Sequence, residues 1–286
     1  MKPPAFRYLR ATSVDECLAA MSEHGDDAKI LAGGQSLVPL MNLRLARPSW
    51  VVDVNHVPGL DYIEVEGDVL RVGAMTRHRD LAASDVVARA CPLLAQAAAM
   101  IGYPAIRNRG TIGGSLAHAD PAAELPCVAC ATDAEIVVAG RDGERIIFAD
   151  EFFTGYFETA LAPAELLVEV RFPTTRAGES WQFREFTRKS GDFAVAAAGV
   201  GLALADGLVT RARIALGGVA DRPVRATAAE ERLAGGPLEG PDIAAAAALV
   251  ADVADSGSQD ADAVELASVL TRRALEAAAA ELRGAS

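Results

Sequence analysis

GTIGGSLAHADP, residues 110–121, and LAGGQSLVPL, residues 31–40, share one pattern: a Gly-Gly pair interrupts an apolar run and a serine follows within two residues. We call residues 32–37 the first turn and residues 111–115 the second turn. Glycine lets the backbone approach a ligand closely, and successive N–H groups in such a turn can form an anion-binding concavity. A helix that starts at the turn adds further N–H donors. The presence of two such turns favours an anionic ligand that is held from two sides. Either turn taken alone could instead be a tight connection between a strand and a helix.

The spacing of the glycines excludes two common phosphate-binding motifs. Neither turn matches GxGxxG or GxxxxGK[ST], so neither the Rossmann nor the P-loop fingerprint applies. The pattern therefore indicates the class of ligand without naming it.

Length and composition indicate a globular protein of two domains. The chain has 286 residues, of which 51% are hydrophobic and 23% charged, and its formal net charge is −12. An acidic chain does not attract nucleic acid or anionic lipid. No uncharged apolar stretch is as long as a membrane span, and the first residues contain no apolar signal core, so we expect no membrane span and a cytoplasmic location.

The cysteines do not form a metal-binding pattern. Cys127 and Cys130 form a CxxC, whereas Cys17 and Cys91 lie in separate apolar patterns and do not provide a second pair. The CxxC segment has the composition of a buried helix, in which free cysteine behaves as a small hydrophobe. We expect no disulfide, no iron–sulfur cluster and no other metal site in this chain.

Hydrophobic periodicity predicts alternating helices and strands up to about residue 173. Ser13 and Glu16 have capping-box spacing and open the first helix. The predicted strands are AKILAG, WVVDV, the hairpin YIEVEGDVLRVGA, AEIVVAG, ERIIFA and ELLVEVRFP. The other predicted helices are SLVPLMNLRLA, TRHRDLAAS with Thr76 as a cap, CPLLAQAAAMI and residues 122–131.

The pattern changes after the polar segment TTRAGES, residues 174–180. FAVAAAGVGLAL and LVTRARIALGGV flank an Asp-Gly pair and predict a long hairpin. Three alanine-rich helices are predicted near residues 226–233, 243–254 and 261–282. Strands followed by helices indicate an α+β unit, and we place a domain boundary near residue 177.

Three motifs in order resemble those of a known family. AGGQSL, IRNRGTIGGSLAHADPAAELP and TRKSGDFA are similar to the FAD-binding medium subunit of molybdenum hydroxylases, the family of aerobic carbon monoxide dehydrogenase and xanthine dehydrogenase. The resemblance implies an α+β fold with a vanillyl-alcohol-oxidase-type (PCMH) FAD-binding domain over residues 1–176, divided into subdomains of about 1–55 and 56–176. Residues 177–286 would form a CO dehydrogenase flavoprotein C-terminal-like domain with a three-stranded antiparallel sheet and a helix bundle.

The resemblance also implies which residues contact FAD. On one side of the diphosphate and ribityl chain it implies Ala32, Gly33, Gly34, Gln35, Ser36 and Leu37. On the other side it implies Thr111, Gly113, Gly114 and Ser115. Along the adenosine and ribityl path it implies Ala117, His118, Asp120 and Glu124. Around the isoalloxazine ring it implies Leu166 or Leu167 as a cover, with Lys189, Asp192 and Phe193 nearby.

Several of these positions remain open from the sequence. His118 is a candidate for either an FAD contact or a structural hydrogen bond, and we expect the histidines outside the motifs, His24, His56 and His78, to be solvated. Arg107 and Arg109 suit the surface, a partner contact or a positive field near the diphosphate.

Two positions depart from the family pattern. Many members have asparagine at the position of Ser115, and some have tyrosine or tryptophan at that of Phe193. Neither departure removes the backbone contacts that the resemblance implies.

The function implied by the resemblance is electron transfer, with no catalytic residue in this chain beyond the flavin. A large partner subunit with a molybdenum–pterin cofactor would hydroxylate the substrate, and a small partner subunit with two [2Fe–2S] clusters would pass electrons to FAD. The complex would be a doubled heterotrimer, and its substrate an N-heterocycle or aldehyde rather than carbon monoxide. The alternative is a self-contained FAD-dependent oxidase or reductase of the same fold.

Overall fold

A small parallel sheet forms the N-terminal part of the chain in the computed structural model, which describes residues 2–254 and 261–284. Its strand order is β1-β3-β2, and a 3₁₀ turn at Gly25–Asp27 precedes β2. The first turn follows β2 and leads into α2. The elements are β1 (Arg7–Arg10), α1 (Val14–His24), β2 (Ala28–Leu31), α2 (Leu37–Asn42) and β3 (Trp50–Asp53).

An antiparallel five-stranded sheet of order β4-β5-β10-β6-β7 follows, with helices packed against it. A two-stranded ribbon, β8-β9, adjoins it. The elements are β4 (Ile63–Glu66), β5 (Val69–Gly73), α3 (His78–Ala83), α4 (Asp85–Ala90), α5 (Pro92–Met100), α6 (Pro104–Arg107), α7 (Ile112–His118), α8 (Glu124–Ala131), β6 (Glu135–Gly140), β7 (Gly143–Phe148), α9 (Ala149–Phe152), β8 (Phe153–Gly155), β9 (Glu158–Thr159) and β10 (Leu166–Pro173).

The CxxC segment lies in the centre of this region. All eight residues of α8 are buried, and the cysteines of the chain are free thiols. Burial raises the pKa of Cys127 to about 12 and also raises that of Cys130. These thiols stay protonated and act as apolar packing groups.

The C-terminal region is a second antiparallel sheet, of order β11-β12-β13-β14, covered by helices. Three of its strands are long and β14 has two residues. The predicted hairpin is β12–β13, and Asp206 and Gly207 both have positive φ at its turn, as a two-residue hairpin loop requires. The elements are β11 (Glu179–Thr187), β12 (Ala194–Ala205), β13 (Leu208–Gly217), β14 (Val224–Arg225), α10 (Thr227–Leu233), α11 (Gly240–Ala248), α12 (Val250–Ala254) and α13 (Ala261–Gly284).

An ionic cluster fixes this sheet against the end of α8. Asp133 pairs with Arg213 at 2.8 Å and with Arg225 at 2.6 Å, and Arg225 also pairs with Glu230 at 2.7 Å. Burial opposes the charge of Asp133, but the two arginines hold its pKa below the ordinary value. The two parts of the chain are therefore joined by partly buried, mutually compensated charges.

The helix predicted over residues 36–46 ends at Asn42, and the one predicted over residues 243–254 is divided into α11 and α12. Two further local predictions, both near the second turn, are wrong. The second Gly-Gly pair does not precede a helix but lies within the first turn of one, α7, because the Thr111 hydroxyl accepts the N–H of Gly114 and caps the helix there. Thr76 does not cap α3, since its hydroxyl donates to the carbonyl of Tyr62 instead.

The described residues contain no helix long and apolar enough to cross a membrane.

Candidate cofactor-binding cleft

A cleft of about 630 Å³ lies between the parallel sheet and the five-stranded sheet. Both glycine turns line it, together with the start of β10 and the loop before β12. Its volume lies within the range of about 300–1,000 Å³ that is usual for ligand and cofactor sites. The two turns, distant in sequence, therefore meet at a single site.

The first turn presents unused backbone donors. Gly34 has a φ of +72°, and the Gln35 side chain donates to the carbonyl of Gly33 at 3.0 Å. Within the described residues, the N–H groups of residues 33–37 have no acceptor, and neither does the Ser36 hydroxyl. A run of free N–H groups in a left-handed turn suits an anion.

The second turn uses its backbone donors internally. The N–H of Ile112 donates to the carbonyl of Thr76 at 3.1 Å, and that of Gly113 to the carbonyl of Ala74 at 2.9 Å. The Thr111 hydroxyl and carbonyl accept from the next two N–H groups, at 3.1 and 3.0 Å. The expectation that N–H groups at the start of a helix bind an anion on this side is therefore wrong. The Ser115 hydroxyl lines the cleft and has no partner among the described residues.

Close packing against neighbouring backbone explains one glycine in each turn. A Cβ on Gly33 would lie 2.4 Å from the carbonyl oxygen of Arg109 and 2.8 Å from the Cα of Gly110. A Cβ on Gly113 would lie 2.8 Å from the carbonyl oxygen of Ala74. Both contacts are shorter than any side chain allows, so glycine at these positions serves protein packing.

Two residues that sequence reasoning missed connect the turns. Asn55 Nδ2 donates to the carbonyl of Ala32 at 2.8 Å, and Arg77 Nη2 donates to Asn55 Oδ1 at 2.8 Å. Arg77 Nη1 donates to the carbonyl of Arg109 at 2.5 Å. No motif marks either residue; the only signal is that Asn55 follows the last residues of β3 and Arg77 precedes α3.

The other predicted contact residues line the cleft with one exception. The exposed side chain of Lys189 is not among the groups that line it, so this prediction is not supported. The remaining lining residues from the prediction are Ala117, His118, Asp120, Glu124, Leu166, Leu167, Asp192 and Phe193. The ring of His118 lies 5.0 Å from that of Phe157, and burial lowers its pKa.

Two carboxyl groups have raised pKa values in this region: Glu124, which is buried and lines the cleft, and Glu185, which is half-buried and does not line it. Burial raises the pKa of Glu124 to about 7, and the negative charges of Glu185 and Asp120 contribute in the same direction. Burial also raises the pKa of Glu185 to about 7. No group of His, Cys, Asp and Glu side chains in the described residues is arranged to hold a metal ion.

The structure corrects the expectation that His78 is solvated. Its side chain is buried beside Gly110, and neither ring nitrogen has a hydrogen-bond partner of normal geometry in the described part of the chain. Burial lowers its pKa to about 4, so the ring is neutral at pH 7. His24 is half-buried and stacks on Trp50, with ring centroids 4.1 Å apart, whereas His56 is exposed as expected.

Comparison with known proteins covers both parts of the chain. Residues 4–175 match the family described as the FAD binding domain in molybdopterin dehydrogenase, and residues 181–279 match the CO dehydrogenase flavoprotein C-terminal domain. The 6-hydroxypseudooxynicotine dehydrogenase complex subunit alpha of Paenarthrobacter nicotinovorans is 47% identical over 86% of this chain and 84% of its own length. Caffeine dehydrogenase subunit beta of Pseudomonas sp. (strain CBB1) is 40% identical over 98% and 96%. The structure of carbon monoxide dehydrogenase from Hydrogenophaga pseudoflava aligns with a TM-score of 0.95 and 41% identity, covering 98% of this chain and 99% of that one.

Proposed function

Because the chain belongs to the family of FAD-binding medium subunits of molybdenum hydroxylases, we propose that it is the electron-transfer subunit of such a complex. FAD bound here would supply the redox chemistry that links two [2Fe–2S] clusters of a small partner subunit to an external electron acceptor. A large partner subunit with a molybdenum–pterin cofactor carries out the hydroxylation. The role of this chain is to bind and orient the flavin.

The open N–H groups of the first turn are the main support for this proposal. A diphosphate carries two negative charges, and five backbone N–H groups without an acceptor in the described chain lie along residues 33–37. Hydrogen bonds to a charged acceptor are about twice as strong as neutral ones. The residues present therefore fit the diphosphate of FAD, with the hydroxyls of Ser36 and Ser115 as further donors on opposite sides.

The rest of the cleft suits the other parts of FAD. Apolar Leu166 and Leu167 at the start of β10 cover the flavin ring system, and Phe193 and Asp192 lie beside it in the proposal. The adenosine and ribityl path runs along the residues after the second turn, which are Ala117, His118, Asp120 and Glu124. Lys189 is left out because its side chain does not line the cleft.

We propose a small organic substrate, an N-heterocycle or aldehyde, for the holoenzyme. Relatives named for 6-hydroxypseudooxynicotine and caffeine support this choice, although carbon monoxide dehydrogenase is similar to the chain at a comparable level. The proposed assembly is a doubled heterotrimer in the cytoplasm. The four free, buried thiols are consistent with a reducing compartment.

Absorbance spectra of the full chain, purified alone and together with its partner subunits, test the proposal. We expect flavin bands at about 450 nm in the chain alone, with iron and molybdenum present only in the complex. A colourless chain that cannot be reconstituted with FAD would contradict the proposal. Turnover of an organic substrate by the isolated chain would instead favour a self-contained oxidase or reductase.

A further inference from the structure

Arg77 connects the two glycine turns through both branches of its guanidinium group. Nη1 donates to the Arg109 carbonyl at 2.5 Å, and Nη2 donates to Asn55 Oδ1 at 2.8 Å. Its backbone also forms a β-bridge with Thr111, the first residue of the second turn. A planar fork with fixed donor directions holds two acceptors at a set separation, which a lysine cannot do.

Asn55 fixes the other end of this connection. Its side-chain amide donates to the carbonyl of Ala32 in the first turn at 2.8 Å, and to Asp53 Oδ1 at 2.6 Å. The second carboxylate oxygen of Asp53 accepts the hydroxyl of Tyr8 from β1. The position of Asn55 is therefore set by the parallel sheet, and Arg77 transmits that position to the second turn.

The carbonyl of Arg109, just before the second turn, is contacted both by Arg77 and by the first turn. It accepts from Arg77, and it is also the atom on which Gly33 packs. A shift of this carbonyl would change the separation between the turns. Since the first turn supplies free N–H groups and the second supplies the Ser115 hydroxyl, that separation decides whether both sides reach one ligand.

Both described side-chain acceptors of Arg77 are neutral, namely the Arg109 carbonyl and the Asn55 amide oxygen. Burial and the nearby charge of Arg109 lower the pKa of Arg77, and the carboxylates of Asp61 and Asp80 act in the opposite direction. Arg77 does not line the cleft itself, so its effect on a ligand there is exerted through the backbone that it holds.

From this arrangement we infer that Arg77 is a positioning residue that sets the separation of the two turns for the diphosphate of FAD. The inference rests on the proposed function, because the two turns are taken to hold the diphosphate. It predicts that loss of Arg77 weakens the binding of FAD more than the binding of riboflavin, which has no diphosphate. A role in folding alone would weaken both ligands together.

Titration of the full-length apoprotein with FAD and with riboflavin, followed by flavin fluorescence, provides the test. Arg77→Met is expected to weaken FAD binding roughly tenfold and riboflavin binding less than about twofold. The control is Arg79→Met, two residues further along, where an exposed guanidinium pairs with Asp80 at 3.2 Å; both affinities should remain unchanged. Wild-type FAD affinity in Arg77→Met, or an equal loss for both ligands, would overturn the inference. A wild-type chain that does not bind FAD would contradict the proposed function itself.

Two further variants keep the test decisive if Arg77→Met does not fold. Arg77→Lys retains the charge but not the fork, so FAD binding should fall about threefold, and unchanged affinity would count against the inference. Asn55→Ala removes the other end of the connection. The double variant Asn55→Ala/Arg77→Lys should weaken FAD binding no more than the stronger of the two single variants does. A loss of affinity equal to the product of the two single losses would show that the residues act independently and would contradict the inference.

Discussion

The two glycine turns have similar sequences, yet their backbone donors have different partners. In the first turn, residues 33–37 leave their N–H groups free within the described chain; in the second, the N–H groups of residues 112–115 are all bonded to protein oxygens. The first turn has the character of an anion-binding loop. The second is a capped helix start whose glycines permit close packing, and only its side chains remain for the ligand. A Gly-Gly-Ser pattern therefore does not by itself show whether a turn binds through its backbone.

The largest expected effect comes from Gly33, where the first turn packs against the backbone just before the second turn. Gly33→Ala places a Cβ 2.4 Å from the Arg109 carbonyl oxygen, so the first turn must move away from that backbone. We expect the free energy of unfolding to fall by about 3 kcal/mol and FAD content to be lost. Denaturant unfolding and flavin absorbance measure the two effects.

Gly240→Ala is the matched control, because a Cβ there meets no described atom within 4 Å. It should leave flavin content unchanged and should not lower the free energy of unfolding, because alanine is favoured over glycine in a helix. Wild-type stability in Gly33→Ala would show that the first turn does not pack against the Arg109 carbonyl as described.

A second expected effect belongs to the side of the cleft that holds the second turn. Glu124 is buried at the start of α8, and its pKa in the folded chain is raised from 4.5 to about 7. Between these two values the folded protein retains a proton that the unfolded chain releases, so stability is lost as pH rises towards 7. Glu124→Gln removes this loss and should stabilise the apoprotein by about 2 kcal/mol at pH 8.

The same variant should show little gain at pH 4, where the Glu124 carboxyl is mostly protonated in both states. Chemical unfolding at the two pH values separates the effect of charge from that of packing. Glu23→Gln is the matched control, since Glu23 is exposed on α1 and the same substitution there should change stability little at either pH. An equal gain at both pH values in Glu124→Gln would contradict the role of burial.

Local patterns predicted individual elements, whereas the resemblance to a known family supplied the fold and the residues of the cleft. The β12–β13 hairpin follows from alternating polarity around Asp-Gly, and the residues of both turns line one cleft as their motifs imply. The partners of the second turn were not predictable. Its N–H groups bond to the carbonyls of Ala74 and Thr76, which only the folded chain brings near.

The same limit applies to single side chains in the cleft. His78 begins a polar helix in sequence but is buried against Gly110, and Arg77 reaches across to Asn55. Neither contact leaves a periodic or motif signal. Long-range polar contacts of this kind depend on tertiary placement rather than on local composition.

The smallest expected effect is also the most direct comparison of the turns, and it uses one hydroxyl from each. Thr111→Val removes the cap that accepts the N–H of Gly114, which should reduce the stability of the apoprotein by about 1 kcal/mol. Ser36→Ala removes a hydroxyl with no partner in the described chain, so apoprotein stability should not change. FAD binding should weaken roughly fivefold in Ser36→Ala. Thermal unfolding of the apoprotein and FAD titration distinguish the two turns. Loss of a hydroxyl that contacts only the ligand weakens FAD binding without changing the unfolding temperature. Loss of a structural cap lowers the unfolding temperature. If Ser36→Ala destabilised the apoprotein as much as Thr111→Val, both turns would be structural caps and the contrast between them would fail.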